Sequence, residues 1–260
     1  MKKILFQLFI CLSLTQASPD GDELARAIFS LANQTRQNND LYPLLWDERL
    51  ATVAKAHSRD MMDRNFQDHI NPDGEGPDER LRRIYPELLC NIGENIYGVE
   101  VQNGTLDAIP QLADEAVAGW LRSPKHRENL LNPNWTHMSI GVEVRGESYY
   151  ATQLFTEEFL VLDKPLPKTQ QTGSHLTVTG QLTGRWRMDR LEVYLILPNP
   201  QAVVKISESR ALLGIIPLKV DSQGRNFSTE VDFDIGKGIY AIGFGQSGES
   251  YFPFGRIEVK

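Results

Sequence analysis

Residues 112–129, LADEAVAGWLRSPKHREN, carry the strongest structural pattern in the first half of this chain. At 100° per residue, the apolar side chains fill half the circumference of a helix that we expect over about residues 108–121. These apolar side chains are Leu112, Ala113, Ala116, Val117, Trp120 and Leu121. Ser123-Pro124 predicts a second helix start, because serine is a common N-cap and proline fits the first helical position. The stretch therefore predicts two consecutive helices, with His126 at the beginning of the second.

A longer amphipathic helix and a hairpin flank this stretch. Asp47 is placed to cap a helix that continues to about Arg64, and an apolar stripe recurs along it at helical spacing. The stripe comprises Leu50, Val53, Ala54, His57 and Met61. The runs 139–144 and 149–155 alternate like strands and are joined across Arg145-Gly146-Glu147, so they predict a hairpin. Helices followed by a short antiparallel sheet indicate an α+β layered domain.

Five motifs in this half resemble those of one protein family and follow its order along the chain. They are LLWDERL at 44–50, GENI at 93–96, EAVAGW at 115–120, SPKHREN at 123–129 and IGV at 140–142. His69 follows the first motif in a loop that contains glycine and proline. The animal-type G-H-[FY]-T signature is absent. Residues 24–159 therefore resemble the bacterial type of the CAP superfamily (cysteine-rich secretory, antigen 5 and pathogenesis-related 1 proteins), also called the SCP domain.

The resemblance implies an α-β-α sandwich with a surface cleft that two histidines and two glutamates line. Carried over by motif, these four residues, here called the tetrad, are His69, Glu94, Glu115 and His126. Three further residues are expected to brace the cleft through hydrogen bonds. They are Asn95, Arg127 and Asn129.

The chemistry of the tetrad leaves two interpretations open. Imidazole nitrogens and carboxylate oxygens together suit Zn²⁺ or another divalent cation, so His69 and His126 are candidate metal ligands. Glu115 falls just beyond the apolar half of its helix, beside Gly119, and His126 follows in the next turn, so these two side chains could converge. The competing interpretation is structural: each Glu–His pair forms a hydrogen bond that ties a loop to a helix.

The second half has a different pattern. Residues 163–174 are polar and contain two prolines, which predicts a linker at 161–174 between a CAP domain at 22–160 and a second domain at 175–260. Short alternating runs separated by turn residues then predict a small all-β sandwich. The runs are 176–179, 191–197, 215–220, 227–233, 239–244 and 256–259. No catalytic constellation is found in this half.

The N-terminus predicts export. Lys2 and Lys3 precede the apolar run ILFQLFICLSL, which is typical of a signal peptide at 1–17; an uncleaved membrane anchor is the alternative. No later apolar run reaches the ~18 residues of a membrane span, so we expect no transmembrane segment after cleavage. Only Cys90 would remain, which excludes an intramolecular disulfide. The expected location is the periplasm or the extracellular medium.

The net charge and the absence of common catalytic motifs argue against several classes of function. A net charge of −7 without a basic run makes nucleic acid a poor partner. G-x-S-x-G and H-E-x-x-H are absent, so common serine hydrolases and zinc proteases are not indicated. The favoured hypothesis is non-enzymatic binding of a small or apolar ligand (a lipid, for example) or a divalent cation in the cleft, with the β-domain binding a protein or surface partner.

Two alternatives remain. In a metal-assisted hydrolase of peptides or esters, the histidines and one glutamate would hold Zn²⁺ while the other glutamate acted as general base, so Glu94 and Glu115 are the catalytic candidates. In a structural or adhesive protein, both domains would be interaction scaffolds. Attachment that survives substitution of the whole tetrad would identify the adhesive protein.

Overall fold

The computed structural model describes residues 20–100, 106–205, 211–248 and 251–260, so the signal peptide predicted at 1–17 lies outside the described residues. The helices are α1 (Gly21–Gln37), α2 (Glu48–Arg64), α3 (Pro77–Ile84), α4 (Ile109–Arg122) and α5 (Pro124–Leu130). The strands of the first half are β1 (Leu88–Glu100), β2 (His137–Arg145) and β3 (Ser148–Leu162). Those that follow are β4 (Thr169–Gln170), β5 (His175–Leu182), β6 (Leu191–Ile196), β7 (Val203–Lys205), β8 (Ala211–Leu213), β9 (Ile215–Leu218), β10 (Val220–Gln223), β11 (Asn226–Asp232), β12 (Gly238–Gln246) and β13 (Tyr251–Val259). This combination confirms the predicted α+β class.

The helices around the central stretch begin and end close to their predicted positions. Asp47 caps α2, because its Oδ1 accepts a hydrogen bond from the Arg49 backbone N–H at 2.7 Å. Ser123 is the N-cap residue of α5, as predicted, but its side chain does not form the capping hydrogen bond. The Ser123 backbone N–H donates to the Trp120 carbonyl at the end of α4. The α5 helix still begins at Pro124, whose fixed φ suits the first helical position.

The sheet of the first half is built on β3. The β1 strand pairs antiparallel with it, so that Glu94 lies opposite Leu154 and Asn95 opposite Gln153. The predicted β2–β3 hairpin is confirmed, and Gly146 turns the chain with a φ of 59°. The sequence pattern does not predict β1. Four consecutive residues of this strand, 93–96, are buried, which hides the alternation that normally identifies a strand.

Alternate residues of β2 face opposite helical layers. Ile140 and Val142 belong to the core that α1 and α4 form with the sheet. Gly141 faces α2, and a Cβ there would lie 1.9 Å from the Lys55 backbone nitrogen, so only glycine permits this close approach. The Ser58 hydroxyl of α2 donates to the Gly141 carbonyl at 2.8 Å. Helices therefore cover both faces of the sheet, as in the α-β-α sandwich that the resemblance implies.

The second half is a sandwich of two sheets around its own apolar core. One sheet continues from the first half in the order β1-β3-β5-β11-β10, and the other has the order β4-β13-β12-β6-β9. Rings from both sheets, including Phe227 and Phe244 with centroids 5.8 Å apart, fill the space between them. Each of the six predicted runs corresponds to a strand, but the run at 215–220 is interrupted at Lys219 and forms β9 and β10.

The two halves are joined by β3. Beyond its pairing with β2, this strand pairs with β5, so that Leu160 lies opposite Leu182. The short β4 strand lies within the segment predicted as a linker, 161–174. The division into domains at 22–160 and 175–260 stays a prediction. In the described ranges, none of the helices is long and apolar enough to cross a membrane.

Candidate functional site

Three of the four tetrad residues lie close together. His69 is in the loop between α2 and α3, Glu94 is on β1 and His126 is on α5. His69 Nδ1 is 2.8 Å from Glu94 Oε1. The imidazole rings of His69 and His126 have centroids 6.4 Å apart and are inclined at 65°. We use the word cleft for the space between these two rings.

A buried arginine holds Glu94 in place. Arg80 Nη2 donates to Glu94 Oε2 at 2.5 Å, and the two side chains are only 5% and 2% exposed. Arg80 Nη1 donates to the carbonyl oxygens of His69 and Glu75, each at 2.8 Å. Both carboxylate oxygens of Glu94 are thus occupied, one by the guanidinium and one by the imidazole. Arg80 therefore positions His69 through both the carboxylate and the backbone.

Arg80 is a site residue that sequence reasoning missed. A buried glutamate requires a compensating cation, and three arginines at 80, 82 and 83 follow the His69 loop. This run of arginines could have indicated a cation for the buried glutamate, but the sequence does not show which of the three supplies it. The structure makes the distinction: Arg80 is buried, whereas Arg82 and Arg83 form more exposed ion pairs.

Two asparagines connect α5 to the sheet. Asn95 Nδ2 donates to Gln153 Oε1 at 2.9 Å and to the His126 carbonyl at 3.0 Å. Asn129 Nδ2 donates to the Glu94 carbonyl at 3.0 Å and to Asn95 Oδ1 at 3.1 Å. The backbone that carries His126 is thus tied to the same strand that carries Glu94. The two rings are held by one connected network.

Glu115 and Arg127 lie apart from this network. Glu115 is exposed on α4, and no hydrogen bond links it to the other tetrad residues in the described part of the chain. Arg127 is exposed on α5 and lines a groove of about 630 Å³ with apolar walls that include Leu121 and Leu131. Hydrogen bonds and a ring contact therefore connect His69, Glu94 and His126, and the place of Glu115 in the cleft stays a prediction.

The two imidazoles have opposite electrostatic environments. The hydrogen bond from His69 to Glu94 raises the pKa of His69, which favours its protonated form. Burial lowers the pKa of His126, and the positive charge of His69 lowers it further. One face of the cleft thus favours a cationic ring and the other a neutral ring.

The donor set suits two imidazole ligands rather than four residues. Within the described ranges, no group of three or more His, Cys, Asp or Glu side chains is placed to hold a metal ion. His69 directs Nδ1 to Glu94, an arrangement that orients a histidine and leaves Nε2 for a metal. A divalent cation between His69 and His126 would take its remaining ligands from water.

His57 and Cys90 lie in environments that suit a structural role. His57, expected from its apolar stripe to be buried, is 1% exposed, and its Nε2 lies 3.0 Å from the Asp68 carbonyl oxygen. Cys90 is a free cysteine, and burial raises its pKa to about 12, so its thiol is not an activated nucleophile.

Comparison with known sequences supports the resemblance. The family model described as cysteine-rich secretory protein family, CAP, matches residues 29–162. The uncharacterised protein YkwD of Bacillus subtilis is 30% identical over 146 residues, which are 56% of this chain and 50% of the relative. The uncharacterised membrane protein YlbC of the same organism is 32% identical over 134 residues, 52% of this chain and 34% of the relative. The chain thus spans half or less of these relatives.

Three solved structures match about half of the chain. An extracellular SCP-domain protein of Bacillus anthracis is 33% identical, with a TM-score of 0.42, and the match covers 52% of this chain and 40% of that chain. An outer surface protein of Borrelia burgdorferi is 20% identical, with a TM-score of 0.45, and the match covers 55% and 98%. A cysteine-rich secretory protein of Staphylococcus aureus is 19% identical, with a TM-score of 0.39, and the match covers 54% and 41%.

Proposed function

The chain belongs to the cysteine-rich secretory protein (CAP) family, and from that premise we propose that it is an exported, non-enzymatic protein that binds a divalent cation between His69 and His126. Export is supported by the predicted signal peptide at 1–17 and by the extracellular and outer-surface descriptions of similar structures. The periplasm and the surrounding medium are both compatible with these observations.

The observation that supports binding most strongly is the pair of imidazoles held 6.4 Å apart. Two imidazole ligands with ~2.0–2.1 Å metal–nitrogen bonds place their ring centres about 5–6.5 Å apart, depending on the angle at the metal. At the tetrahedral angle that Zn²⁺ prefers, the ring centres would lie about 5.2 Å apart, so the two rings must approach each other by about 1 Å before both nitrogens reach one ion. Because Glu94 and Asn95 already fix the two segments, little conformational freedom is lost on binding.

The same geometry favours binding over turnover. Glu94 would have to give up Arg80 or His69 before it could accept a proton from water, because each holds one carboxylate oxygen. Glu115 lies on the exposed side of α4 and makes no hydrogen bond to the cleft in the described ranges. In the described ranges, no hydrogen bond therefore connects the two glutamates in the way that a metal ligand and a general base at one site would require.

Calorimetric titration of the purified chain with Zn²⁺ tests this function. We expect saturable binding of one ion that is lost in His69→Ala/His126→Ala and that strengthens as pH rises, because the ligands must be deprotonated. His175→Ala is the matched control, since His175 pairs with two carboxylates outside the cleft. Circular dichroism checks the fold of each variant. Loss of binding in the His175 variant alone, or equal binding by all variants, would contradict the proposal.

The groove beside α5 favours a second candidate, an apolar ligand. Its volume of about 630 Å³ falls within the ~300–1,000 Å³ range of small-molecule sites. Leu121 and Leu131 supply apolar surface, and Arg122 and Arg127 could pair with an acidic head group such as that of a fatty acid. Oleate binding that Arg127→Gln weakens and His126→Ala leaves unchanged would assign the ligand to this groove.

For the second half we propose partner binding or attachment. Val203 and Leu213 lie opposite each other on β7 and β8, and they are 66% and 59% exposed. An exposed apolar pair of this kind is a typical contact point for a partner. Val203→Ser/Leu213→Ser should reduce attachment of the full chain to its producing cells, whereas His69→Ala/His126→Ala should not. Unchanged attachment in the first variant would count against this role.

A further inference from the structure

A second cavity lies where the two halves of the chain meet. Its volume is about 420 Å³, which is large enough for a small ring compound. The lining comes from β1, β3, the loop between α5 and β2, the segment 185–190 and the ends of β12 and β13. The lining residues that bear on the ligand are Asn91, Phe159, Arg185, Trp186, Arg187 and Arg190.

Three stacked aromatic rings form one wall of this junction cavity. Phe159 lies 4.8 Å from Trp186 and 5.2 Å from Phe252 between ring centroids, at angles of 21° and 25°. The indole N–H of Trp186 has no hydrogen-bond partner in the part of the chain that the structure describes. Phe159 and Trp186 are only 4% and 7% exposed, so the partly exposed Phe252 ring supplies most of the open apolar surface, and the Trp186 N–H is the donor beside it.

The segment that carries the arginines is held rigidly. Gln246 Oε1 accepts from the Arg187 backbone N–H at 2.9 Å, and Gln246 Nε2 donates to the Arg187 carbonyl at 3.2 Å. Arg185 Nε donates to Glu157 Oε1 at 2.9 Å. One end of the segment is thus fixed to β3 and its middle to β12. A ligand would meet a site that is already formed.

The charge of the junction cavity is opposite to that of the chain. Three arginines occur within six residues, 185–190, of a chain with net charge −7. The carboxylate in the lining, Glu157, is already shared by Arg185 and Asn91. Arg187 pairs with Asp189, but these side chains are 67% and 64% exposed, so solvent screens the pair and the Arg187 guanidinium can turn to a ligand.

We propose that the junction cavity binds an acidic sugar, a single pyranose ring that carries a carboxylate or a phosphate. The C–H face of the ring would lie on the aromatic wall, whose π face attracts weakly positive hydrogens. Hydroxyl groups would meet the Trp186 N–H and the amide of Asn91, and the anionic group would pair with Arg187. This site is separate from the His69–His126 cleft, so its test does not depend on whether the cleft binds a cation.

The test uses the full chain labelled with ¹⁵N and follows the Trp186 indole N–H signal, assigned by its absence in Trp186→Phe. We expect D-glucuronic acid or D-glucose 6-phosphate to shift this signal saturably, and the tighter binder identifies the preferred anion. D-glucose, which lacks the charge, should bind about tenfold more weakly, because a charge-assisted bond is lost. Arg187→Gln should weaken the acidic sugars by a similar factor. The matched control, Arg256→Gln, alters an exposed arginine outside this lining and should change nothing.

Three results would overturn the proposal: no shift of the Trp186 signal by either acidic sugar, equal binding of glucose, or equal losses in the Arg187 and Arg256 variants. Inorganic phosphate is titrated alongside them. Phosphate that binds as tightly as glucose 6-phosphate would show that the ring contributes nothing, and this result too would contradict an acidic-sugar site.

Discussion

Removal of the buried guanidinium behind the cleft should produce a large, pH-dependent loss of stability. Arg80→Met keeps much of the side-chain volume but leaves Glu94, whose side chain is 2% exposed, without its cation. Breaking a buried pair in this way typically costs about 3–5 kcal/mol. The carboxyl can avoid part of this cost by taking up a proton. For a reference glutamate of pKa about 4.3, protonation costs about 3.7 kcal/mol at pH 7 and about 1 kcal/mol at pH 5.

We therefore expect Arg80→Met to lower the free energy of unfolding by about 3–4 kcal/mol at pH 7 and by about 1–2 kcal/mol at pH 5. The sign follows from the unpaired charge: a proton bound at low pH removes that charge, so the variant loses more stability at pH 7 than at pH 5. Urea unfolding followed by tryptophan fluorescence at both pH values measures the difference.

Two further variants isolate the cause. Arg80→Met/Glu94→Gln should recover much of the lost stability, because no buried charge is left unpaired. Arg82→Met is the matched control, since Arg82 pairs with Asp78 while 44% exposed and should cost less than about 1 kcal/mol. A loss below about 1 kcal/mol for Arg80→Met at pH 7, or an equal loss at both pH values, would show that Arg80 does not compensate a buried charge on Glu94.

Three further predictions follow from individual contacts. Glu94→Gln should lower the pKa of His69 measured by NMR titration, because the hydrogen bond to the carboxylate raises it; an unchanged pKa would show that the bond is unimportant in solution. Gly141→Ala should destabilise the chain by more than about 3 kcal/mol in urea unfolding, because its Cβ would lie 1.9 Å from the Lys55 nitrogen; a loss near 1 kcal/mol would mean that α2 can move away. Burial raises the pKa of Glu158 to about 7, above its unfolded value, so its contribution to stability is present at low pH and declines as pH rises towards 7. Glu158→Gln should flatten the stability profile between about pH 5 and 8, and a slope equal to that of the parent chain would contradict this assignment.

Local patterns predict the helices and hairpins of this chain because short-range chemistry determines them. Asp47 begins α2 where a capping residue precedes an amphipathic stripe, and Gly146 closes the hairpin where the backbone needs a positive φ. Ser123 shows the limit of such patterns. Ser123 does occupy the N-cap position of α5, but its hydroxyl makes no capping hydrogen bond, and the residue type alone does not determine that bond.

The site depends on long-range contacts, which cannot be predicted from local patterns in a single sequence. Motif resemblance identifies His69, Glu94 and His126, and the structure brings these three together. The motif resemblance does not identify Arg80 as the partner of Glu94. Which of the neighbouring arginines reaches Glu94 depends on how α3 packs against β1. The resemblance also does not predict that Glu115, which lies on the expected helix, is exposed and makes no hydrogen bond to the other tetrad residues in the described ranges.

NMR observation of the histidine ring signals during Zn²⁺ titration tests whether His69 and His126 act together on one ligand. We expect both rings to shift together and to saturate at one equivalent, while the His175 ring is unaffected until the cleft is filled. Separate titration of the two rings, or a first response at His175, would contradict cation binding in the cleft and leave the His69–Glu94 pair as a structural contact.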